Sequence, residues 1–365
     1  MRRGTIILVL FVLAAIGIIA ASQFLRSQPP LEITVAVNPL AEKWLLDAVS
    51  AFNASNPLVN TTRIQVRLTT IDDLGVWSGE RPWTADQHPA AWIPASSASI
   101  GYATENGLPL ELRTPSLART PLVWGGFTSR LAVLDIPASG LDWEQVITAV
   151  DAEAWVNLGG DSSWQFVKLA FARPDQTMSG LAVVFSGAAA YSQSAALDSA
   201  LLRDNAFRGW FAPVVASVPN FNTLGADPAA RMANGPSTAE IALLPEVQWL
   251  TNLNGLLTTN DAVAFSYPAY QFMLDFPLAR WNDTVTTDTE RAAVDALQTW
   301  LMTESQQFRT VNFGLRPAAS EPDGGSTLFT AGLIYGIQYE PDYGQLIQAP
   351  GRGDALGLIQ WFKAQ

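Results

Sequence analysis

The sequence has no cysteine and a single histidine, His88, and these two scarcities exclude several kinds of chemistry. Without a thiolate there is no disulfide framework, no cysteine nucleophile, no acyl-cysteine lipoprotein anchor and no cysteine-ligated zinc or iron–sulfur site. One histidine cannot build a multi-histidine metal site. A Ser-His-Asp triad would have to use His88, which stands directly before Pro89 in a polar, irregular stretch. We therefore expect no catalytic residues, no metal and no cofactor.

Positive charge is also scarce. The chain of 365 residues carries 21 basic and 33 acidic groups, for a formal net charge of −12. This balance argues against a nucleic-acid partner, which needs a basic face. Charged residues make up 15% and hydrophobic residues 48% of the chain, so a packed globular protein is expected rather than disorder.

The longest hydrophobic run lies at the N-terminus. Arg2 and Arg3 precede Thr5–Ala21, a stretch without charge, which is the pattern of an export signal. Because positive residues stay in the cytoplasm, the rest of the chain is expected outside. We interpret residues 1–30 as an uncleaved signal-anchor and spacer, which makes the protein a single-pass membrane protein with an extracytoplasmic globular part. Cleavage near Ala20-Ala21-Ser22 is the alternative and would give a secreted protein. The remaining length exceeds the limit of about 250–300 residues for a single core, so two lobes are expected.

Beyond this segment, stretches typical of strands alternate with stretches typical of helices. Ile33 to Val37 is a β-branched run that stops at Asn38-Pro39, a pair that favours the start of a helix. Trp44 to Phe52 then repeats apolar residues at helical spacing. Strands separated by helices imply parallel sheets with right-handed crossovers, so we predict an α/β fold. Further predicted segments are strands at 64–68, 90–94, 117–124 and 170–173, helices that begin near 142 and 179, and an amphipathic helix over 288–303.

Three of the predicted strands end in a small polar residue that would cap the next helix: Asn38, Ser96 or Ser97, and Ser179. In an open parallel sheet, ligands bind at the carboxyl ends of the strands. Helix N-termini at that edge present free N–H groups and a partial positive charge, which suits an anion. Ordinary capping, which every α/β protein needs, explains these residues equally well, and the sequence leaves both explanations open.

Short motifs follow one another in a characteristic order between residues 31 and 318. The strand that ends at Asn38-Pro39 is followed by Trp92–Ser97, Arg119–Val123, Arg173–Leu181, Leu274–Leu278, Trp300–Gln307 and Phe313–Pro317. This order resembles the bacterial extracellular solute-binding proteins of ABC-type transport systems, with the type 2 periplasmic-binding-protein fold of molybdate and sulfate binders. It is most similar to the branch associated with von Willebrand factor A domains.

The resemblance implies two α/β lobes joined by two hinge crossings, with a ligand in the cleft between them. The crossings are expected near Pro121–Gly125 and near Asp275–Leu278, which gives a first lobe of 31–122 plus 276–365 and a second lobe of 123–275. Oxyanion binders usually have a hydroxyl residue in place of Asn38, which argues against a molybdate-type ligand. The binding positions of the family, carried onto the matching motifs, are Asn38, Ser97, Thr120 and Ser179. Ser96, which is next to Ser97, and Tyr267, which lies just before the second crossing, complete the predicted ligand-binding set.

The sequence therefore predicts a tethered binding protein that captures a small molecule or ion. Its expected partners are an ABC-type permease or a von Willebrand factor A domain protein, besides the membrane. Two functions from other classes stay open. One is an extracytoplasmic carboxylate-pair hydrolase, for which Glu240, Glu246 and Asp275 are candidates. The other is a scaffold or adhesion module with a degenerate cleft.

Two further regions are predicted with less sequence support. Trp77, Trp83 and Trp92 lie in a stretch rich in Gly, Pro and Asp, and could line the cleft or cover the first lobe. Residues 319–365 extend past the resemblance. There, Leu333–Ile337 is predicted as an added strand and Leu356–Phe362 as a short terminal helix.

Overall fold

A computed structural model describes residues 11–17, 29–81, 83–138 and 140–365. The strands are β1 (Leu31–Val37), β2 (Leu58–Val59), β3 (Thr62–Thr70), β4 (Ala91–Ile93), β5 (Leu110–Thr114), β6 (Ala118–Phe127), β7 (Leu169–Ala170), β8 (Ile241–Pro245), β9 (Val263–Ser266), β10 (Tyr270–Gln271), β11 (Met273–Leu274), β12 (Leu278–Trp281), β13 (Arg316–Pro317) and β14 (Gln345–Leu346).

The helices are α1 (11–17), α2 (Glu42–Ala54), α3 (Asp73–Ser78), α4 (Ser97–Glu105), α5 (Thr128–Leu131), α6 (Trp143–Asp151), α7 (Met178–Ser192), α8 (Ser199–Arg203), α9 (Asn205–Ala216), α10 (Phe221–Leu224), α11 (Pro228–Met232), α12 (Glu246–Leu256), α13 (Asp288–Leu301), α14 (Glu304–Arg309), α15 (Thr327–Gly332) and α16 (Arg352–Lys363). Short 3₁₀ helices lie at Pro39–Ala41, Trp155–Leu158, Ser162–Trp164, Thr310–Phe313 and Leu333–Tyr335.

Most of the predicted signal-anchor segment, residues 1–30, lies outside the described residues. Only α1 and residues 29–30 of that segment are described. A search of the described ranges found no helix of the length and apolar character needed to cross a membrane.

The first sheet has six strands in the order β2-β3-β1-β4-β12-β5. The predicted strand at 33–37 is confirmed as β1, which pairs in parallel with both β3 and β4. In β3, Ile64 and Val66 are buried against α2 while Gln65 and Arg67 point outward, as their alternation predicted. We call this sheet with α2, α3, α4 and α13 the first lobe.

The second sheet is built around the ten-residue strand β6. It has the order β11-β6-β8-β7, and β9 and β13 also pair with β6. Only β7 and β8 are parallel here, and β12 in the first sheet is antiparallel to its neighbours, so the expectation of purely parallel sheets was wrong. Gly125 allows the close approach of α12, because a Cβ there would lie 2.6 Å from the Trp249 ring. We call this sheet with helices α5 to α12 the second lobe.

The chain passes between the two sheets twice. It leaves the first sheet between β5 and β6, at residues 115–117, and returns between β11 and β12, at 275–277. The two connections touch, since the Leu117 N–H donates to the Phe276 carbonyl over 2.9 Å. The lobe boundaries inferred from the resemblance stay a prediction; Pro121–Gly125 lies within β6, paired mainly with β8.

The C-terminal segment contacts both lobes. The predicted strand at 333–337 was wrong: Leu333–Tyr335 is a 3₁₀ helix that ends at Gly336, whose φ of +108° turns the chain. The predicted terminal helix is confirmed as α16. Residues 345–363, which we call the C-terminal strap, pair with β10 through β14 and contact α8 through α16. From the first lobe, the Tyr102 hydroxyl donates to the strap at the Pro350 carbonyl over 2.5 Å.

Candidate functional site

Asn38 lies at the C-terminal end of β1 and is almost fully buried. Its Oδ1 accepts from the Leu40 N–H over 3.0 Å, which caps the first 3₁₀ helix as the sequence indicated. Its Nδ2 donates to Oδ1 of Asp73 over 2.8 Å. The other oxygen of Asp73 accepts from the Ala95 N–H and the Ser99 hydroxyl, at 2.8 and 2.9 Å. Asp73 therefore joins the loops that follow β1 and β4.

Ser96 and Ser97 lie at the start of α4 and have different partners. Ser96 is the N-cap, and its Oγ accepts from the Ala98 N–H over 3.2 Å. Ser97 donates to Asp275, with its N–H 2.8 Å from Oδ1 and its Oγ 2.7 Å from Oδ2. The carboxylate of Asp275 thus lies at the N-terminus of α4, where the helix dipole favours negative charge.

Ser179 lies in the first turn of α7, in the second lobe. The N-cap of that helix is Thr177, and the buried Ser179 hydroxyl donates to the Thr177 Oγ1 over 3.4 Å. The Met178 N–H, also in the first turn, lies close enough to the carboxyl of Asp72, from the first lobe, to lower its pKa. Asp72 in addition caps its own helix, α3, by accepting from the Leu74 N–H. Asp72 therefore caps a helix of the first lobe and lies near the start of a helix of the second.

The three carboxyls of Asp72, Asp73 and Asp275, which we call the carboxylate cluster, all have raised pKa values. Burial is the main cause for each of them. The charge of Asp73 raises the pKa of Asp72 further, to about 8. The hydrogen bond from Asn38 opposes the rise at Asp73 and that from Ser97 opposes it at Asp275, and both pKa values are about 6. The sequence motifs did not indicate Asp72 or Asp73; their positions just after β3 are the signal that could have done so.

Thr120 and Tyr267 belong to a different group, centred on Arg316. The Thr120 hydroxyl accepts from the Val247 N–H at the start of α12, over 3.1 Å. The Tyr267 hydroxyl donates to Oε1 of Glu246, the first residue of that helix. Burial raises the pKa of Tyr267 well above its ordinary value, and the charge of Glu246 adds to the rise.

Arg316 and Glu246 are fully buried and form a two-point ion pair. The Arg316 Nε lies 2.7 Å and its Nη2 lies 2.8 Å from the two Glu246 carboxylate oxygens. The Arg316 Nη1 donates to Glu321 and to the Tyr339 carbonyl, at 2.7 and 2.6 Å. The guanidinium therefore fixes residues 321–339 to α12 and leaves no free fork for a ligand.

Two of the three carboxylates considered for a hydrolase are held in ion pairs. Glu246 is paired with Arg316 as described. Glu240 is fully buried and accepts from Arg130, from the Trp155 indole and from the Lys168 N–H, at 3.1, 2.7 and 3.1 Å. Both carboxylates are saturated by donors from within the chain, which is a structural role.

A cavity of about 150 Å³ lies between the two lobes. The first lobe contributes Pro39, Leu40 and Lys43, directly after Asn38. The second lobe contributes residues of α12 and of the loop before α11, and Phe313 completes the wall. We call this the interlobe cavity; its lining is Pro39, Leu40, Lys43, Ala226, Asp227, Val247, Gln248, Thr251 and Phe313.

The tryptophans suggested for the cleft lie elsewhere. Trp77 and Trp92 are fully buried in the core of the first lobe, and Trp83 packs edge-on against Trp92 with ring centroids 5.3 Å apart. A position in the cleft was therefore wrong for Trp77 and Trp92, because apolar burial in the first lobe and not ligand stacking accounts for where they lie.

Comparison with known proteins identifies the architecture. Neither family models nor curated proteins match the sequence. Solved structures do match. The chain has the fold of the periplasmic solute-binding proteins of ABC transporters. One similar structure is the sulfate-binding protein SubI from Mycobacterium tuberculosis, with 14% identity, a TM-score of 0.53, and coverage of 87% of this chain and 93% of that one.

Two other similar structures carry different ligands. The periplasmic binding protein AfuA from Actinobacillus pleuropneumoniae, with fructose-6-phosphate bound, is 12% identical with a TM-score of 0.56, and 90% of this chain and 96% of that chain are covered. The substrate-binding protein Lmo0181 from Listeria monocytogenes, in complex with cycloalternan, is 13% identical with a TM-score of 0.58, and 92% and 94% are covered. At these identities the likeness establishes the fold, and the ligands belong to those proteins.

Proposed function

We propose that this protein is a membrane-tethered, extracytoplasmic solute-binding protein that captures a small solute between its lobes. Its partner is an ABC-type transporter or a sensor that responds to the closed form. The interlobe cavity carries this proposal, because its wall comes from both lobes. A solute that fills it contacts Leu40 on one side and Thr251 on the other. Residues 1–30 supply the tether in this proposal.

Binding between lobes explains how such a protein transmits a signal without making or breaking bonds. A solute that touches both lobes has more contacts in the closed form, and so shifts the equilibrium toward closure. The connections at 115–117 and 275–277 are the segments about which the lobes would move. The volume of the cavity matches about five water molecules, which restricts the solute to a small one.

The six ligand-binding residues predicted from the sequence are not among the residues that line the cavity. Asn38 directly precedes the lining residue Pro39, and the Thr120 hydroxyl accepts from the N–H of the lining residue Val247. Ser97 and Ser179 mark the starts of α4 and α7. We add Lys43, Gln248 and Thr251 as lining residues that the motifs did not indicate.

A binding screen with the full-length chain tests the proposal. A thermal-shift panel of oxyanions, amino acids, sugars, short peptides, polyamines and metal ions should give at least one saturable hit. A solute at about 100 times its dissociation constant adds roughly 2.7 kcal/mol and moves the melting midpoint by several degrees. Thr251→Trp places a large side chain in the cavity from an exposed helix position and should abolish the hit. Asn254→Trp, exposed on the same helix outside the lining, is the matched control.

Lobe closure has its own measurement. Since the chain has no cysteine, spin labels can be placed at Glu105→Cys and Thr223→Cys, both exposed and in different lobes, without background labelling. The solute found in the screen should shorten the mean distance between the labels or narrow the distribution of that distance. No hit in the whole panel, together with an unchanged distribution, would favour the scaffold with a degenerate cleft.

A further inference from the structure

We infer that a surface groove of the second lobe docks a protein segment in which an apolar side chain stands beside lysine or arginine. This groove, which we call the second-lobe groove, has a volume of about 630 Å³. None of its lining residues lines the interlobe cavity. The inference therefore concerns a second surface and a second kind of partner, and it does not depend on the proposed function.

The walls of the second-lobe groove are mainly apolar. They come from α6, from the end of α9 with the turn after it, and from the segment 153–168. The apolar lining residues are Val150, Phe166, Val167, Pro213, Ala216 and Pro219.

Backbone hydrogen bonds hold the segment that forms one wall. The Val167 N–H donates to the Glu153 carbonyl over 2.9 Å, and the Trp155 N–H donates to the Gln165 carbonyl over 3.0 Å. These bonds join the two ends of segment 153–168 to each other. The groove is therefore formed by the chain itself and needs no partner to create it, which lowers the cost of docking.

Phe166 is the exposed aromatic residue of this groove. It is 66% exposed, and Val156, on the same segment, is 54% exposed. Single apolar residues scattered over a surface are ordinary, but here two belong to the segment that walls an apolar groove, which is the mark of an interaction site. Aromatic residues are also enriched in protein interfaces. Because the apolar surface extends past the groove, a protein segment covers it better than a small solute does.

The charges at the groove determine which partner fits. Asp151 and Glu153 line it, are exposed, and form no ion pair with any described residue. The one base among the described lining residues is Lys168, whose Nζ lies 3.4 Å from the buried carboxylate of Glu240. Exposed charges act over about 10 Å at 0.1 M salt, so both free carboxylates influence whatever enters the groove. The groove therefore favours a cationic partner, and it would repel an anionic lipid surface.

Peptides that separate charge from apolar character test the inference on the full-length chain. The probes are acetyl-Lys-Phe-Leu-Lys-amide, acetyl-Glu-Phe-Leu-Glu-amide and acetyl-Lys-Ser-Ser-Lys-amide, read by calorimetry. The first should bind at least about tenfold more tightly than either of the others, the factor that partial burial of one apolar side chain supplies. Raising the salt from about 0.05 M to about 0.5 M should weaken it several-fold, because exposed charges are screened.

Variants connect the result to the named residues. Phe166→Ser should weaken the Lys-Phe-Leu-Lys peptide by about tenfold or more. Phe308→Ser, at a phenylalanine that is 57% exposed outside the groove, is the matched control and should leave the affinity unchanged. Asp151→Lys combined with Glu153→Lys should weaken the peptide and remove the effect of salt, whereas Glu105→Lys, exposed in the first lobe, should do neither. If a variant fails to fold, the peptide panel and the salt dependence of the wild type decide.

Thr251→Trp, which fills the interlobe cavity, separates this inference from the proposed function. Peptide binding that persists in Thr251→Trp and is lost in Phe166→Ser supports the inference. The reverse pattern would mean that the peptide enters the interlobe cavity, which overturns the inference and keeps a solute-binding protein. Equal affinity for the lysine and glutamate peptides, or no saturable binding, also overturns it. A wild-type dimer in sedimentation that Phe166→Ser dissociates would show that a second copy of the chain fills the groove, and would overturn the basic partner.

Discussion

The carboxylate of Asp275 accepts both the N–H and the hydroxyl of Ser97, although the two residues are 178 positions apart in the chain. Asp275 lies on the connection that returns from the second sheet to the first, and Ser97 begins α4 of the first lobe. The pair therefore fixes this connection to the start of α4. It also places a negative group where a resemblance to oxyanion binders would place the ligand.

Two replacements of Asp275 should separate the contribution of its hydrogen bonds to stability from the contribution of its negative charge. Asp275→Ala removes both hydrogen bonds of Ser97, whose donors are exposed and can bind water instead, and should lower the free energy of unfolding by about 0.5–1.5 kcal/mol. Asp275→Asn keeps an acceptor for the Ser97 N–H and should cost less. Urea denaturation of both variants beside the wild type measures the difference. Equal losses for Ala and Asn would contradict the assignment.

The carboxylate cluster predicts how stability depends on pH. Burial raises the pKa values of Asp72, Asp73 and Asp275 to about 8, 6 and 6, whereas unfolded aspartate titrates near about 3.9. The folded chain therefore holds these protons more tightly than the unfolded chain. Their stabilising contribution is complete below about pH 4 and is lost as the pH rises through the folded pKa values.

We expect the free energy of unfolding to fall between about pH 5 and about pH 8, by at most about 1.4 kcal/mol per pH unit for each proton. Denaturation curves across that range, on wild type and Asp72→Asn, provide the measurement. The variant should have a flatter profile above about pH 6, because the group with the highest pKa no longer titrates. A profile as steep as that of the wild type would sink the assignment of Asp72.

The buried pair of Arg316 and Glu246 predicts a large asymmetry between single and double variants. Arg316→Met leaves the Glu246 charge buried without its partner, and should cost about 3–5 kcal/mol. Adding Glu246→Met removes that charge and should recover a substantial part of the loss. Denaturation of the two single variants and the double variant forms the cycle. A double variant no more stable than Arg316→Met would show that the loss of stability comes from side-chain packing and not from the unpaired charge of Glu246.

Local sequence patterns predicted the helix caps well and the long-range hydrogen-bond partners of the capping residues poorly. Asn38 and Ser96 were predicted as helix caps, and both cap the helices that follow them. Capping depends on residues two or three positions away, so it can be read from the sequence. The contacts of Asn38 with Asp73 and of Ser97 with Asp275 depend on how whole loops meet, which no local pattern specifies.

The same limit applies to Tyr267 and to the stretch around Trp77. Tyr267 was predicted to bind the ligand because it precedes the second connection, which stays a prediction; its contacts with Glu246 and Arg316 were not predicted. The polar, Gly- and Pro-rich stretch around Trp77 suggested an exposed cleft wall, yet its indole is buried beside Tyr102. Leu333–Tyr335 has the composition of a strand, but Gly332 and Gly336 bound it too closely for one to form.

Gly180 predicts that the start of α7, in the second lobe, does not tolerate an added side chain. A Cβ at this position would lie 2.2 Å from the Ala172 carbonyl oxygen, and backbone atoms give way less easily than a side chain. Gly180→Ala should therefore displace the start of α7 and cost about 1–3 kcal/mol, as other overpacked sites do. Thermal denaturation checks the loss. Gly209→Ala, where no atom lies within 4 Å of the added Cβ, is the control and should leave stability nearly unchanged or slightly improved.

The C-terminal strap predicts a coupling between the two lobes that does not depend on the cavity. Arg203 of the second lobe pairs with Asp354 of the strap's helix α16. From the first lobe, the Tyr102 hydroxyl donates to the Pro350 carbonyl just before α16, and the Trp77 carbonyl accepts from Arg352 within it. Tyr102→Phe removes one first-lobe contact and should cost about 0.5–1.5 kcal/mol. Amide exchange in α16 should accelerate as well, because the strap then opens more often from one side. Tyr335→Phe, which removes the same atom outside the strap, is the control. If exchange in α16 were equally fast in wild type and Tyr102→Phe, the strap would be a passive extension of the second lobe and not a link between the lobes.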